Sequence, residues 1–313
     1  MTLPDAPSPR TILLTGATGY VGGVLAPVLV EQGHTVRCLA RDPGRARGAL
    51  PPGVEVFKGD VLSGEGLDAA LAGTDVAYYM VHSMGGGGKG DFAEKDRVGA
   101  RTFGDAVARA GTARTVYLGG LEGDAGDVTS EHLRSRHEVA DLLREHVGDG
   151  ELVYARAAMI LGAGSASFEI VRHLVKRLPL MLTPKWVDTR SQPIAIDDVV
   201  HALARLAVRP SAPEEVQLGG ADVLTYRDMM GRFADVAGRR RAPLILKVPV
   251  LTPRLSSHWV ALFTPIEAGL VRPLVDGLSA ETVVRIPPPP GINDTPLGFD
   301  EAVRAALAEA RPS

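Results

Sequence analysis

The chain has 313 residues, 45% of them apolar and 23% charged, a globular balance that excludes a disordered or fibrous chain. A formal net charge of −3 and an aromatic content of 5% argue against a nucleic-acid binder or a basic membrane surface. The single cysteine, Cys38, excludes a disulfide framework or a cysteine-based zinc site within one chain and fits a reducing, cytoplasmic setting.

The N-terminal MTLPDAPSPR has no apolar run of the signal-peptide kind. No uninterrupted apolar stretch reaches the roughly 18 residues needed to span a bilayer. After a proline-broken tail over 1–10, TILLT at 11–15 reads as a strand, and the glycine turn over 16–23 leads into a helix over 24–32. Further strands are predicted at 36–40, 54–58, 76–81, 115–118 and 152–156, and helices at 67–72, 92–110 and 131–146. Short apolar runs without alternation, separated by helices, are strands buried on both faces, so an α/β fold with a doubly wound parallel sheet is predicted. Beyond 162 the pattern weakens. Helices are predicted at 167–178, 197–208 and 226–237, with Asp197 and Thr225 as caps, and a short strand at 193–196. The apolar run 248–277 is punctuated by Pro249, Pro253, Pro265 and Pro273, the composition of a pocket wall or lid, and 287–290 suits polyproline II.

The strongest motif is TGATGYVGG, with Gly16, Gly19 and Gly22 spaced as GxxGxxG between a strand and a helix. Gly16 allows the tight turn, Gly19 lets backbone approach a pyrophosphate, and Gly22 lets helix pack on sheet. Thr18, Tyr20 and Val21 fill the same dinucleotide-binding turn. At the end of the second strand an NAD site needs a carboxylate for the ribose, but here Ala40 is followed by Arg41, which suits a 2′-phosphate. NADP(H) is therefore the expected cofactor, with NAD(H) the alternative if Asp42 reaches the ribose. Asp60, next to Val61 in KGDV, is placed either to accept from the adenine amino group or to cap a helix.

At TGATGYVGG, VRCLARDP and KGD the chain resembles the short-chain dehydrogenase/reductase superfamily. YYMVHSMGGGGKGDF, TVYLGGL, HLRSRHEVADLLR, ARAAMILGAGSASFE and LPLMLTPKWVDTRSQPIAIDDVV narrow the resemblance to its atypical, NmrA-like and YbjT-like branch. The resemblance implies a Rossmann-type domain over 10–162 plus 191–222 and a smaller C-terminal substrate lobe over 163–190 plus 223–313. It also implies that Val81, His82 and Gly119 lie along the cofactor and that the 155–162 loop, with Ala157, stands by the nicotinamide.

The superfamily's catalytic serine is missing, because TVYL runs into Gly119-Gly120. The slot of its Tyr-x-x-x-Lys pair holds His132 and Arg136, which share a helix face at i and i+4. His132 is thus a candidate proton donor, and Arg136 is placed either to hold a cofactor ribose or to depress the imidazole pKa. On the alternative reading both are solvated charges of an amphipathic helix whose apolar side is Leu133, Val139, Ala140, Leu142 and Leu143. His82-Ser83, at a strand's carboxyl edge, forms a second candidate pair, and Glu122 is a third possible acid. Tyr117 reads as core. Ser165, Phe168, Trp186, His258 and Trp259 are the candidate substrate-pocket residues, with core packing the alternative for both tryptophans. No metal-ligand spacing is present, so no metal is expected.

Three functional readings follow: an NADPH-dependent reductase of a C=O, C=N or C=C bond in a small, mostly apolar substrate; a catalytically silent NADP(H)-binding regulator; or an isomerase or dehydratase using the cofactor transiently. The expected partners are a small molecule and, at most, a second copy of the chain, so a monomer or homodimer is expected without nucleic acid or membrane.

Overall fold

The computed structural model describes residues 8–82, 91–121, 131–183, 185–239, 242–247 and 277–310. Strand and helix alternate first as β1 (Thr11–Thr15), α1 (Tyr20–Glu31), β2 (Thr35–Ala40), α2 (Pro43–Ala49), β3 (Glu55–Lys58), α3 (Leu67–Leu71), β4 (Val76–Tyr79), α4 (Asp91–Ala110), β5 (Arg114–Gly120), α5 (Glu131–His146) and β6 (Glu151–Ala157). Then follow β7 (Ile160–Leu161), α6 (Ala166–Arg177), β8 (Leu180–Thr183), β9 (Arg190–Ser191), β10 (Ile194–Ala195), α7 (Ile196–Val208), β11 (Glu215–Leu218), β12 (Leu224–Thr225), α8 (Tyr226–Val236), β13 (Leu244–Lys247) and α9 (Phe299–Glu309).

Seven strands form one parallel sheet in the order β11-β6-β5-β4-β1-β2-β3. This is the Rossmann-type doubly wound arrangement, and strand order reverses between β1 and β4, which opens a crevice at their carboxyl ends. The pleat sends alternate residues to opposite layers. Ile12, Leu14 and Tyr78 enter the core beneath α1 and α7, whereas Leu13, Ala77 and Tyr79 enter the core beneath α3, α4 and α5. Each fully buried leucine contributes about 1.5–3 kcal/mol. The buried Tyr78 hydroxyl donates to the Leu203 carbonyl at 2.7 Å, which pins α7 to the sheet. Tyr117 is core, as expected, and stacks on Tyr154 with ring centroids 5.1 Å apart.

A smaller lobe gathers α6, α8, α9 and the 3-10 turn Lys185–Asp188 around a separate apolar cluster. Phe168 is fully buried there, 5.7 Å from Phe233 between ring centroids, so it is a core residue and not the pocket residue expected from the sequence. Thr225 caps α8 in a capping box with Asp228. Asp197 does not cap α7: Ala195 holds the cap position without a side-chain bond, and Asp197 stands in the first turn, where its charge complements the helix dipole.

The last helix is tied on by charge. The Phe299 N–H donates to Asp222 Oδ2 at 2.7 Å, and Arg232 on α8 bonds Asp300 at 2.8 Å and pairs with Asp222 at 3.3 Å. The Phe299 N–H, with Arg232 beside it, holds the Asp222 carboxyl below its ordinary value. Replacing Asp222 by Ala is expected to lower stability by about 1–3 kcal/mol in urea unfolding at neutral pH. Because the folded carboxyl is the stronger acid, its contribution is present above the unfolded value near 3.8 and is lost as pH falls through the lower folded value. The gap between variant and wild type should therefore close in acid, and a gap independent of pH would contradict this assignment.

Candidate functional site

The turn between β1 and α1 shows what each glycine does. Gly16 has φ +77°, and a Cβ there would stand 2.5 Å from the Met80 carbonyl oxygen. A Cβ on Gly22 would stand 2.5 Å from the Gly16 carbonyl oxygen and 2.8 Å from Ala17 Cα, so only glycine lets α1 approach β1 this closely. Gly19 differs. It is exposed, it occupies the cap position of α1 with no side-chain bond, and a Cβ would meet only the Gly16 oxygen, at 3.1 Å. Backbone at Gly19 is thus open to a ligand at the positive end of a helix, a cradle that fits a pyrophosphate.

From this turn a cavity of about 570 Å³ runs past the carboxyl ends of β4, β5 and β6 and under the smaller lobe. Gly16, Gly19, Tyr20, Val21, Gly22, His82, Gly119, Arg136, Ala157, Ser165 and Trp186 all line it, as the sequence suggested for a shared site. Beyond β6 the wall is mostly apolar, from Met159, Ile160, Ile170, Val171, Leu174 and Met230. Tyr226 and Met230, one turn apart on α8, were not anticipated, although their i, i+4 spacing gives one face.

Two candidate polar residues meet in the cavity: Arg136 Nη1 donates to His82 Nε2. For that bond Nε2 must lack a proton, so a neutral imidazole carries its proton on Nδ1. Arg136 is 9% exposed, which corrects the reading of this residue as a solvated charge. His132 belongs to α5 one turn before Arg136, but its side chain lies outside the described residues. Ser83, Glu122, His258 and Trp259 also lie outside them.

At Gly119 a side chain would be crowded. A Cβ at Gly119 would stand 2.6 Å from the Tyr154 ring. Burial pushes the Tyr226 phenol up to about 12, and burial with Glu309, Asp197 and Glu169 nearby raises that of Tyr20 further, so both stay protonated at neutral pH. Trp186 packs edge-on against Tyr226, with ring centroids 5.9 Å apart, and is at once core and cavity wall. Ser165 donates to the Ile160 carbonyl at 2.7 Å.

The remaining candidates stand outside the cavity. Arg41 is exposed at the end of β2, while Asp42 caps α2 by accepting from the Arg45 N–H at 3.0 Å. Asp60 accepts from the Leu62 N–H at 2.9 Å, a local turn and not a helix cap. Val61 is packed in the core beneath α4. Thr18 is exposed on the glycine turn, and Val81 is half-buried after β4. Among the described residues no group of three His, Cys, Asp or Glu side chains could hold a metal, and no helix is long and apolar enough to cross a membrane.

Comparison with known proteins agrees with this geometry. Residues 16–159 match the NAD(P)H-binding family. A (4-alkanoyl-5-oxo-2,5-dihydrofuran-3-yl)methyl phosphate reductase of Streptomyces griseus is 30% identical over 236 residues, 73% of this chain and 74% of that one. A 3 beta-hydroxysteroid dehydrogenase/Delta 5-->4-isomerase of Mycobacterium tuberculosis is 31% identical over 135 residues, 38% of this chain and only 35% of that enzyme's length. The Citrobacter sp. triphenylmethane reductase, solved with NADP(H), superposes with a TM-score of 0.74 over 95% of this chain and 100% of that one, at 17% identity, which speaks to the fold. With its glycine turn, its parallel sheet and this extended relationship, the chain belongs to the NAD(P)H-binding family of Rossmann-type proteins.

Proposed function

We propose that the chain is an NADP(H)-dependent reductase acting on a C=O, C=N or C=C bond of a small, mostly apolar molecule. The observation that carries this reading is the continuity of the cavity. One space joins the phosphate-binding turn to an apolar wall beneath the smaller lobe. A silent regulator has no need of such a space, and this favours catalysis over sensing. The Streptomyces griseus relative is named for a phosphate ester that combines an alkanoyl chain with an unsaturated ring, chemistry of the same class.

In this reading Gly16, Gly19 and the first turn of α1 hold the pyrophosphate, Gly119 and Ala157 flank the nicotinamide, and Arg41 takes the 2′-phosphate. When bound, the nicotinamide supplies the hydride. A neutral His82 donates a hydrogen bond from Nδ1 to the charge that develops on the reduced oxygen or nitrogen, and water delivers the proton that completes the reduction. Arg136 acts as a positioning residue by fixing that tautomer through Nε2. His132, in the superfamily's tyrosine slot, is the second candidate donor. The apolar wall excludes water from the reacting bond.

Calorimetric titration should give tighter binding of NADPH than of NADH, and Arg41→Ala should weaken NADPH alone by about ten- to a hundredfold, the scale of a charge-assisted hydrogen bond. Equal affinities in the wild type would return the ribose to Asp42. With a reducible substrate in hand, His82→Ala should lower turnover by about 10²–10⁴-fold with cofactor affinity intact. A loss of that size in His132→Ala instead would move that role from the end of β4 to α5.

A further inference from the structure

Three arginines among the described residues are buried, and two of them are neutralised. Arg114, 8% exposed, bonds Glu151 at 2.6 Å and the carbonyls of Leu206 and Arg209. Arg156, also 8% exposed, bonds Glu215 at 2.7 Å. Arg136, 9% exposed, meets no carboxylate among the described residues, and its hydrogen-bond partner is the imidazole of His82. It is also the one permanently charged side chain among the described residues lining the cavity.

A buried guanidinium without a counter-charge is unfavourable, and it keeps donors beyond the one spent on His82. Its planar fork matches a carboxylate or a phosphate. Two sources of such an anion exist, the cofactor and the substrate. Position separates them. The pyrophosphate cradle is at the end of β1, whereas Arg136 lies on α5 against β5, whose Tyr117 hydroxyl donates to the Arg136 carbonyl. The Arg136 backbone is thus two strands from β1, roughly 10 Å at the usual strand spacing, while its guanidinium reaches back to His82 after β4, the strand beside β1. It stands between the phosphate cradle and the apolar wall beyond β6.

We propose that Arg136 receives an anionic group, a phosphate or a carboxylate, carried by the substrate, so that the preferred substrate is an apolar chain or ring bearing one acidic group. The proposal rests on the reductase reading for the cofactor's place and adds to it the charge of the substrate.

The test uses octyl phosphate, octanoate and 1-octanol as probes, titrated by calorimetry into protein saturated with NADP⁺. At least one of the anions should bind about ten- to a hundredfold more tightly than the alcohol. Arg136→Met should abolish that preference, leave cofactor affinity unchanged and melt no lower than wild type, because a buried charge with no carboxylate partner among the described residues has been removed. Arg136→Lys should keep part of the preference through its point charge. Equal binding of the three probes, no binding, or an anion preference that survives in the Met variant overturns the proposal. Loss of cofactor affinity in the Met variant overturns it as well, since the guanidinium would then serve the cofactor. Wild-type protein that takes up no NADP⁺ at all removes the reductase reading and this proposal together, which distinguishes that failure from a failure at Arg136 alone.

Discussion

The structure depends on how closely α1 approaches the end of β1. No side chain fits at Gly22, 2.5 Å from the Gly16 carbonyl oxygen, or at Gly16, 2.5 Å from the Met80 carbonyl oxygen. These two contacts bring the first turn of α1 to the crevice where strand order reverses. The helix N-terminus then faces the cavity with its free N–H groups, and the sheet's carboxyl edge becomes the floor along which the remaining site residues are set out.

On that floor the packing decides the chemistry. Tyr154 stacks on Tyr117 and lies so close to Gly119 that a side chain there would strike its ring. Beside it, His82 after β4 and Arg136 on α5 meet through a hydrogen bond. The smaller lobe contributes few polar groups and much apolar wall. Its own stability rests on a separate core, so it can shape a chamber without disturbing the sheet.

The central sheet was legible in the sequence because parallel strands covered on both faces are written as unbroken apolar runs, and because glycines at fixed spacing have few other uses. Other elements depend on distant partners. β8 pairs with β13 more than sixty residues away, and nothing local to either announces the pairing. α2 was signalled only by Asp42-Pro43, a cap followed by a proline at the first helical position, and α9 by Gly298 before an apolar period. Phe168 was misread because α6 carries two apolar stripes. Ile170 and Val171 reach the cavity, Phe168 and Val175, seven residues apart, belong to the lobe's core, and Leu174 serves both. For Arg136 the helix pattern offered a solvated charge as readily as a site residue, and only tertiary packing decides that the guanidinium is buried, with no carboxylate on it among the described residues.

If the glycine turn is a phosphate cradle and not only a packing device, Gly19 and Gly22 must behave differently, since only Gly22 is enclosed by protein atoms. The most direct measurement is the affinity of Gly19→Val for NADPH, by calorimetry on protein whose circular dichroism and melting temperature match the wild type. The account predicts a folded protein that no longer binds the cofactor, because the added side chain stands where the pyrophosphate must approach. A folded Gly19→Val protein that binds NADPH as tightly as the wild type would contradict it.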